Sequence, residues 1–293
     1  KNKMKYKQLG ESGLEVSEIG FGCMSLGTSH QDNAKLLHSA LDKGINFFDT
    51  ADLYDKGANE ETVGRAFAGM RDKVIIATKV GNQWRPDGSG WDWNPTKAYI
   101  LQAVEASLQR LQTDYIDLYQ LHGGTIDDPI DETIEAFEQL KQQGKIRHYG
   151  ISSIRPNVIR EYVSRSNIAS VMLQYSLLDR RPEEEVLDLL EQQGIGVLAR
   201  GSLAQGLFTG GRPPETAAQQ ATAALVASLA ADYQTSPEAI ALAFLLKHPA
   251  GIQPVIGTTS PARIAACQKA LTVNLSREHW YALYVAARGK ALP

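Results

Sequence analysis

Apolar residues along the chain fall in short runs separated by longer stretches of helical spacing. Eight runs stand out: VSEIGFG (16–22), NFFDTA (46–51), VIIATKV (74–80), IDLYQLH (116–122), IRHYGIS (146–152), SVMLQYS (170–176), IGVLAR (195–200) and QPVIG (253–257). Each is rich in β-branched or aromatic residues and almost continuously apolar, the pattern of strands buried on both faces. Between them the period changes. In NPTKAYILQAVEASLQRLQ (94–112), Ile100, Val104, Leu108 and Leu111 share one side. PEEEVLDLLEQQ (182–193) opens on Pro182 and acidic residues, as helix N-termini prefer. DETIEAFEQLKQQG (131–144) ends on Gly144, a helix stop. Such alternation predicts a parallel sheet. Eight units in 293 residues fit a closed (β/α)₈ TIM barrel, usually about 250 residues, as a single domain over residues 1–293. A doubly wound dinucleotide fold would place GxGxxG after its first strand. GFGCMSLG (20–27) spaces Gly20, Gly22 and Gly27 differently, so the barrel is preferred.

The chain's remaining segments add little to that frame. The Ala-rich tract 217–231 reads as a helix, GGRPPETAAQQ (210–220) as a flexible loop, and SREHWYALYVAAR (276–288) as an extra helix outside the barrel. Composition is that of an ordinary globular protein, 43% hydrophobic and 22% charged with net charge −3. That balance points to neither nucleic acid nor anionic membrane as a partner. No apolar run approaches the roughly 18 residues that span a bilayer. The basic start KNKMKYKQLG lacks a following apolar stretch and is not read as a signal peptide. Cys23 and Cys267 lie far apart and form no CxxC pair, which suggests a reducing compartment without a structural disulfide. A cytoplasmic, metal-independent protein is the expectation.

Candidate chemistry follows from the barrel. Catalytic groups in this fold sit at the C-terminal ends of strands and in the loops beyond. In FFDTADLYDKG (47–57) that rule selects Asp49 after the second strand, with Tyr54 on the same loop. It selects Lys79 after the third strand and His122 after the fourth. Neighbouring strands lie about 4.8 Å apart, so these groups can converge. A lysine ammonium beside a phenol stabilises the phenolate and lowers the phenol pKa, while a carboxylate keeps the lysine charged. A nearby histidine can orient a carbonyl. Together they form a phenol tuned as a general acid, donating a proton to a carbonyl oxygen as hydride arrives. Singly each is ordinary: His122 as a structural hydrogen-bonder, Asp49 as a turn cap, Lys79 in a salt bridge. Asp52 and Asp55 read as solvated loop residues. Trp84, Trp91 and Trp93 in NQWRPDGSGWDWN (82–94) either wall an apolar pocket or pin their loop to the barrel.

FFDTADLY, IIATKVG, DLYQLHG, YGISS, LQYSLLDR and AQGLFTGG, in this order from about Lys7 to Leu271, resemble the aldo-keto reductase superfamily, and within it bacterial members related to potassium-channel β-subunits. The resemblance implies NADPH-dependent reduction of a small-molecule carbonyl substrate without metal. Tyr54 would be the acid, Asp49 and Lys79 would tune it, and His122 would orient the carbonyl. It further implies that Ser152 and Gln174 contact the nicotinamide carboxamide. Arg200 would take the place of a stacking aromatic, with Gly201, Leu203 and Gln205 along the pyrophosphate. Gly257, Thr258, Ser260 and Arg263 of GTTSPARIAACQ would form the adenosine-phosphate loop. The chain departs from the family pattern at Ser153, usually asparagine, at Gly257, usually lysine, and at Cys267, where an adenine-contacting asparagine is usual. Around Pro213–Pro214 it is shorter than family members that fold this segment over the cofactor.

Two rival readings stay open on the residues. Lys79 can act as a Schiff-base nucleophile in an aldolase, although Asp49 disfavours its neutral form. Alternatively, the protein holds NADPH without turnover and reports redox state to a partner. Substrate identity and oligomeric state are open.

Overall fold

In the computed structural model, which describes residues 3–293, eight parallel strands close into a barrel. They are β1 Gly20–Gly22, β2 Phe47–Asp49, β3 Ile75–Val80, β4 Ile116–Leu121, β5 Ile146–Ser152, β6 Ser170–Gln174, β7 Gly196–Arg200 and β8 Ile252–Ile256. Each pairs with its successor, and β8 closes the ring on β1. Outside lie α1 (His30–Asp42), α2 (Ala58–Ala66), α3 (Lys97–Leu111), α4 (Ile130–Gln142), α5 (Pro156–Arg165) and α6 (Val186–Gln192). α7 (Ala217–Asp232) and α8 (Pro237–Leu246) both fall between β7 and β8, followed by α9 (Pro261–Gln268) and α10 (Arg277–Arg288). This is the (β/α)₈ barrel expected from the alternating pattern. Hydroxyl caps start many of the helices: Ser29, Thr96, Thr216, Ser236, Ser260 and Ser276 each accept the backbone N–H three residues on. Such caps contribute about 0.5–2 kcal/mol each.

Three boundaries differ from the sequence reading. VSEIGFG is not one strand: Glu15–Ser17 pairs antiparallel with Tyr6–Gln8, and only Gly20–Gly22 joins the barrel. The run breaks at its polar centre, where the Asn46 side chain accepts from Ser17 N–H at 2.7 Å and donates to the Glu15 carbonyl at 2.9 Å. Pro182 sits in a short 3-10 turn, Arg181–Glu183, and α6 starts later, at Val186. The loop reading of 210–220 holds only as far as Thr216, beyond which α7 begins. The final helix lies outside the barrel as expected, packed on α7, with Trp280 stacked on Phe244 at 4.7 Å between ring centroids. Among the described residues no helix is long and apolar enough to cross a membrane.

The barrel interior is layered by the two-residue period of its strands. Phe47, Ala77, Leu118, Met172, Leu198 and Val255 form an apolar layer that the hairpin residues Leu9, Leu14 and Val16 plug from below. Two residues further along five of those strands, the inward positions become Asp49, Lys79, Gln120, Gln174 and Arg200. The sequence thus changes from apolar to polar within one pleat, and the polar layer forms the floor of the mouth.

Candidate active site

The charged pair on that floor is fully bonded. Lys79 Nζ donates to Asp49 Oδ2 at 2.6 Å, to the Thr50 carbonyl at 3.0 Å and to the Tyr54 hydroxyl at 3.2 Å. Gln120 Nε2 donates to Asp49 Oδ1 at 2.9 Å. Lys79 and Asp49 are almost wholly shielded from water, and a buried ion pair is tolerable only with such additional bonds. His122 is the first residue past β4, and its ring meets Tyr54 edge-on, 6.0 Å between centroids at 88°. Its Nδ1 is buried without a partner among the described residues.

Tyr54 is held by a strained turn. Asp55, Lys56 and Gly57 take φ of 51°, 53° and 94°, so three successive residues are left-handed. Each non-glycine residue there costs about 1–3 kcal/mol, and such strain persists only where the surroundings enforce it. Gly57, at φ 94°, holds a conformation that side chains rarely adopt, and a Cβ there would lie 2.9 Å from Arg110 Cδ.

Burial dominates the electrostatics. It raises the Tyr54 phenol; Lys79 opposes this without reversing it, so the net direction is opposite to the expected lowering. Burial works against the Lys79 charge, but Asp49 and Tyr54 together raise it above the ordinary lysine range. The His122 imidazole is lowered to about 3 by burial, then by Lys79 and Arg200. At neutral pH the site therefore holds a phenol, an ammonium and a neutral imidazole.

Above the floor opens a cavity of about 1130 Å³. Asp49, Tyr54, Lys79 and His122 line it, together with Ser152, Gln174, Arg200, Gly201, Leu203, Gln205, Gly257 and Arg263. Arg200 carries no salt bridge among the described residues. Thr258 and Ser260 are not in the lining. The Thr258 hydroxyl accepts from Ser260 N–H at 3.0 Å, and the Ser260 hydroxyl caps α9 by accepting from Arg263 N–H at 3.3 Å. Cys267 is fully buried beneath α9, so its thiol does not reach the cavity. Of the loop tryptophans only Trp93 lines the cavity, anchored by its indole N–H to Asp128 Oδ1 at 2.9 Å. Trp84 and Trp91 pack on each other at 5.2 Å within a small hairpin. The short segment after β7 is docked through Leu207 and Phe208, both buried.

Asp52 overturns its reading as a solvated residue: it is 7% exposed. Burial, then Glu60, pushes its carboxyl up to about 8 against the opposing pull of Arg110, the Leu53 N–H and Lys79. Residues passed over in the sequence also enter the site. Gln120 bonds Asp49, and Ser202 lines the cavity with a buried hydroxyl that has no partner among the described residues. Inward register two residues past Leu118 was a signal for Gln120; nothing local marks Ser202.

A closed parallel barrel whose C-terminal mouth gathers an ammonium, a carboxylate, a phenol and an imidazole is the frame of a barrel enzyme. The chain belongs to the aldo/keto reductase family, whose model matches residues 18–285. It is 62% identical over 206 residues to the uncharacterized oxidoreductase YqkF of Bacillus subtilis strain 168, covering 70% of this chain and 67% of that protein. It is 35% identical to the 6-dehydroglucose reductase of Novosphingobium aromaticivorans, covering 98% and 97%. Among solved structures it is similar to the holo form of aldo-keto reductase AKR11C1 from Bacillus halodurans, with TM-score 0.88, 49% identity and coverage of 97% and 96%. The glycerol dehydrogenase AKR11B4 from Gluconobacter oxydans gives TM-score 0.86 at 27% identity, covering 97% and 95%. Family and relatives together make the protein an oxidoreductase.

Proposed function

We propose that the protein reduces aldehydes or ketones to alcohols with NADPH, and that Tyr54 donates the proton. The observation that carries this reading is the Tyr54–Lys79–Asp49 chain of short bonds beside a neutral His122 in one cavity. The same cavity suits a dinucleotide. Among the described residues Ser202 presents an unpartnered buried hydroxyl and Arg200 an unpaired cation, and Gly201, at φ 65°, stands beside Gln174. Ser152 and Gln174 would hold the carboxamide, Arg200 would lie on the ring, and Gly201, Leu203 and Gln205 would follow the pyrophosphate. Gly257 and Arg263 would face the adenosine phosphates, with Thr258 and Ser260 shaping that loop from behind. The 2′-phosphate of NADPH adds nearly two charges that Arg263 can meet. When bound, the reduced cofactor supplies hydride.

The protein's own residues handle the proton. Because Tyr54 stays protonated, it is loaded as an acid. His122, neutral, can donate an N–H to the substrate oxygen without adding charge. As the phenol gives up its proton, the Lys79 ammonium at 3.2 Å stabilises the phenolate, and Asp49 keeps that ammonium charged. The same bonds disfavour a Schiff-base role, which needs Lys79 neutral. Loss of NADPH absorbance at 340 nm with a panel of aldehydes tests the proposal. Turnover with NADPH well above that with NADH supports it; no oxidation of either cofactor with any carbonyl would refute it.

A further inference from the structure

The cavity is uneven in charge, and the excess points to a feature of the substrate. Its charged lining side chains are Asp49, Lys79, Arg155, Arg200 and Arg263. Asp49 and Lys79 cancel within one ion pair. Arg200 ends β7 and Arg263 stands in the first turn of α9, on the wall assigned above to the cofactor. That leaves Arg155, which the assignment does not use.

Arg155 is an exposed residue at the cavity rim that reaches across to the loop after β4. It precedes Pro156, the first residue of α5, and the residue before a proline is held extended. Its Nη1 donates to the Gly124 carbonyl, 2.8 Å away on the loop after β4. Gly124 itself has φ 124°, a conformation that favours glycine. No other bond from the side chain and no ion pair occurs among the described residues, so the Nε–Nη2 edge is free. Gly124 lies two residues past His122, within about 7 Å along the chain. Arg155 is thereby held beside the loop that carries His122, and it lines the same cavity as Tyr54 and His122. That cavity also has apolar lining side chains: Met24, Leu53, Trp93 and Ile154.

We propose that Arg155 is a specificity-determining residue whose free guanidinium edge binds a carboxylate at the far end of the substrate, making short ω-carboxylated aldehydes the preferred substrate class. The planar edge matches a carboxylate with two parallel hydrogen bonds, and such charge-assisted pairs are the stronger kind. The apolar walls accept the methylene chain between the two ends. A Lys79–Asp49 pair that is already closed cannot compete for the carboxylate. This inference rests on the carbonyl-reductase reading above.

The test compares glutarate semialdehyde with its methyl ester, equal in length and different in charge, as substrates with NADPH. The wild-type enzyme should show a KM for the acid at least about tenfold below that for the ester, with similar kcat. Arg155→Ala should remove that difference by raising only the KM of the acid. Arg155→Lys should restore part of it, because an ammonium keeps the charge but lacks the fork. Reduction of both compounds with equal KM, or an equal rise for both in Arg155→Ala, would overturn the role of Arg155 while leaving the reductase reading intact. Oxidation of NADPH with neither compound would overturn the Arg155 proposal, and the reductase reading would fall with it only if the wider aldehyde panel also gave no turnover.

Discussion

Asp49, the last residue of β2, and Asp52, on the loop that follows, stand three residues apart, both buried, and they face different surroundings. Asp49 points into the barrel, where Lys79 and Gln120 satisfy both of its oxygens. Asp52 belongs to the layer between strands and helices, where its neighbours are Glu60, Arg110, Tyr99 and Tyr119. There Glu60 takes most of the bonding: Arg110 Nε at 2.8 Å, the Thr78 hydroxyl at 2.7 Å and the Ser107 hydroxyl at 3.3 Å. Asp52 is left with a buried oxygen that has no partner among the described residues. One carboxylate thus has a partner for each oxygen, whereas burial and then the Glu60 charge drive its neighbour towards the neutral acid. Both clusters meet at the strained turn that carries Tyr54, since Arg110 packs beneath Gly57.

If the outer cluster is structural, breaking it should cost stability first. Arg110→Ala leaves the fully buried Glu60 without its cation, and losing one partner of such a pair costs about 3–5 kcal/mol. Arg110 is partly exposed, so the low end is expected, read as a lower urea midpoint. An unchanged midpoint would mean that Glu60 does not depend on Arg110.

The state of Asp52 is testable by pH. Its folded pKa, about 8, lies above the unfolded value of about 3.9, so the folded state binds the extra proton in between. Its contribution is fully present below pH 4, declines as pH rises and is lost above pH 8. The slope is at most about 1.4 kcal/mol per pH unit. Asp52→Asn should flatten stability over that window. A variant as pH-dependent as the wild type would place the proton elsewhere. The smallest effect concerns the cofactor wall: Arg200→Ala should weaken NADPH binding severalfold, the scale of about 0.5–2 kcal/mol for a cation on a ring. Unchanged Kd values would remove Arg200 from the ring.

The contrast also explains what was legible in the chain. Asp49, Lys79 and His122 are legible because they end apolar strands in a fold whose chemistry sits at strand ends, and all three line one cavity. Asp52 was misread because polarity in a loop usually signals solvent, and its burial depends on Glu60 and Arg110, eight and 58 residues further on. VSEIGFG reads as a single strand because its two strands are joined by only Glu18 and the apolar, buried Ile19. Thr258 and Ser260 followed the family motif, but their hydroxyls are engaged in the turn and cap of α9. Arg155 could not be found by pattern, because its relevance lies in a contact with Gly124, 31 residues away.

The inner cluster is the one on which the proposed function stands, and Tyr54→Phe isolates it. The substitution removes one hydroxyl from the end of the Lys79–Asp49 chain and leaves the ring, the turn and the cofactor wall in place. Steady-state kinetics with NADPH and a reducible aldehyde, alongside NADPH binding by fluorescence, gives both quantities on one sample. The expected result is a kcat lower by about 10²-fold or more with an almost unchanged NADPH Kd. A near-normal kcat would contradict the assignment of Tyr54 as the proton donor.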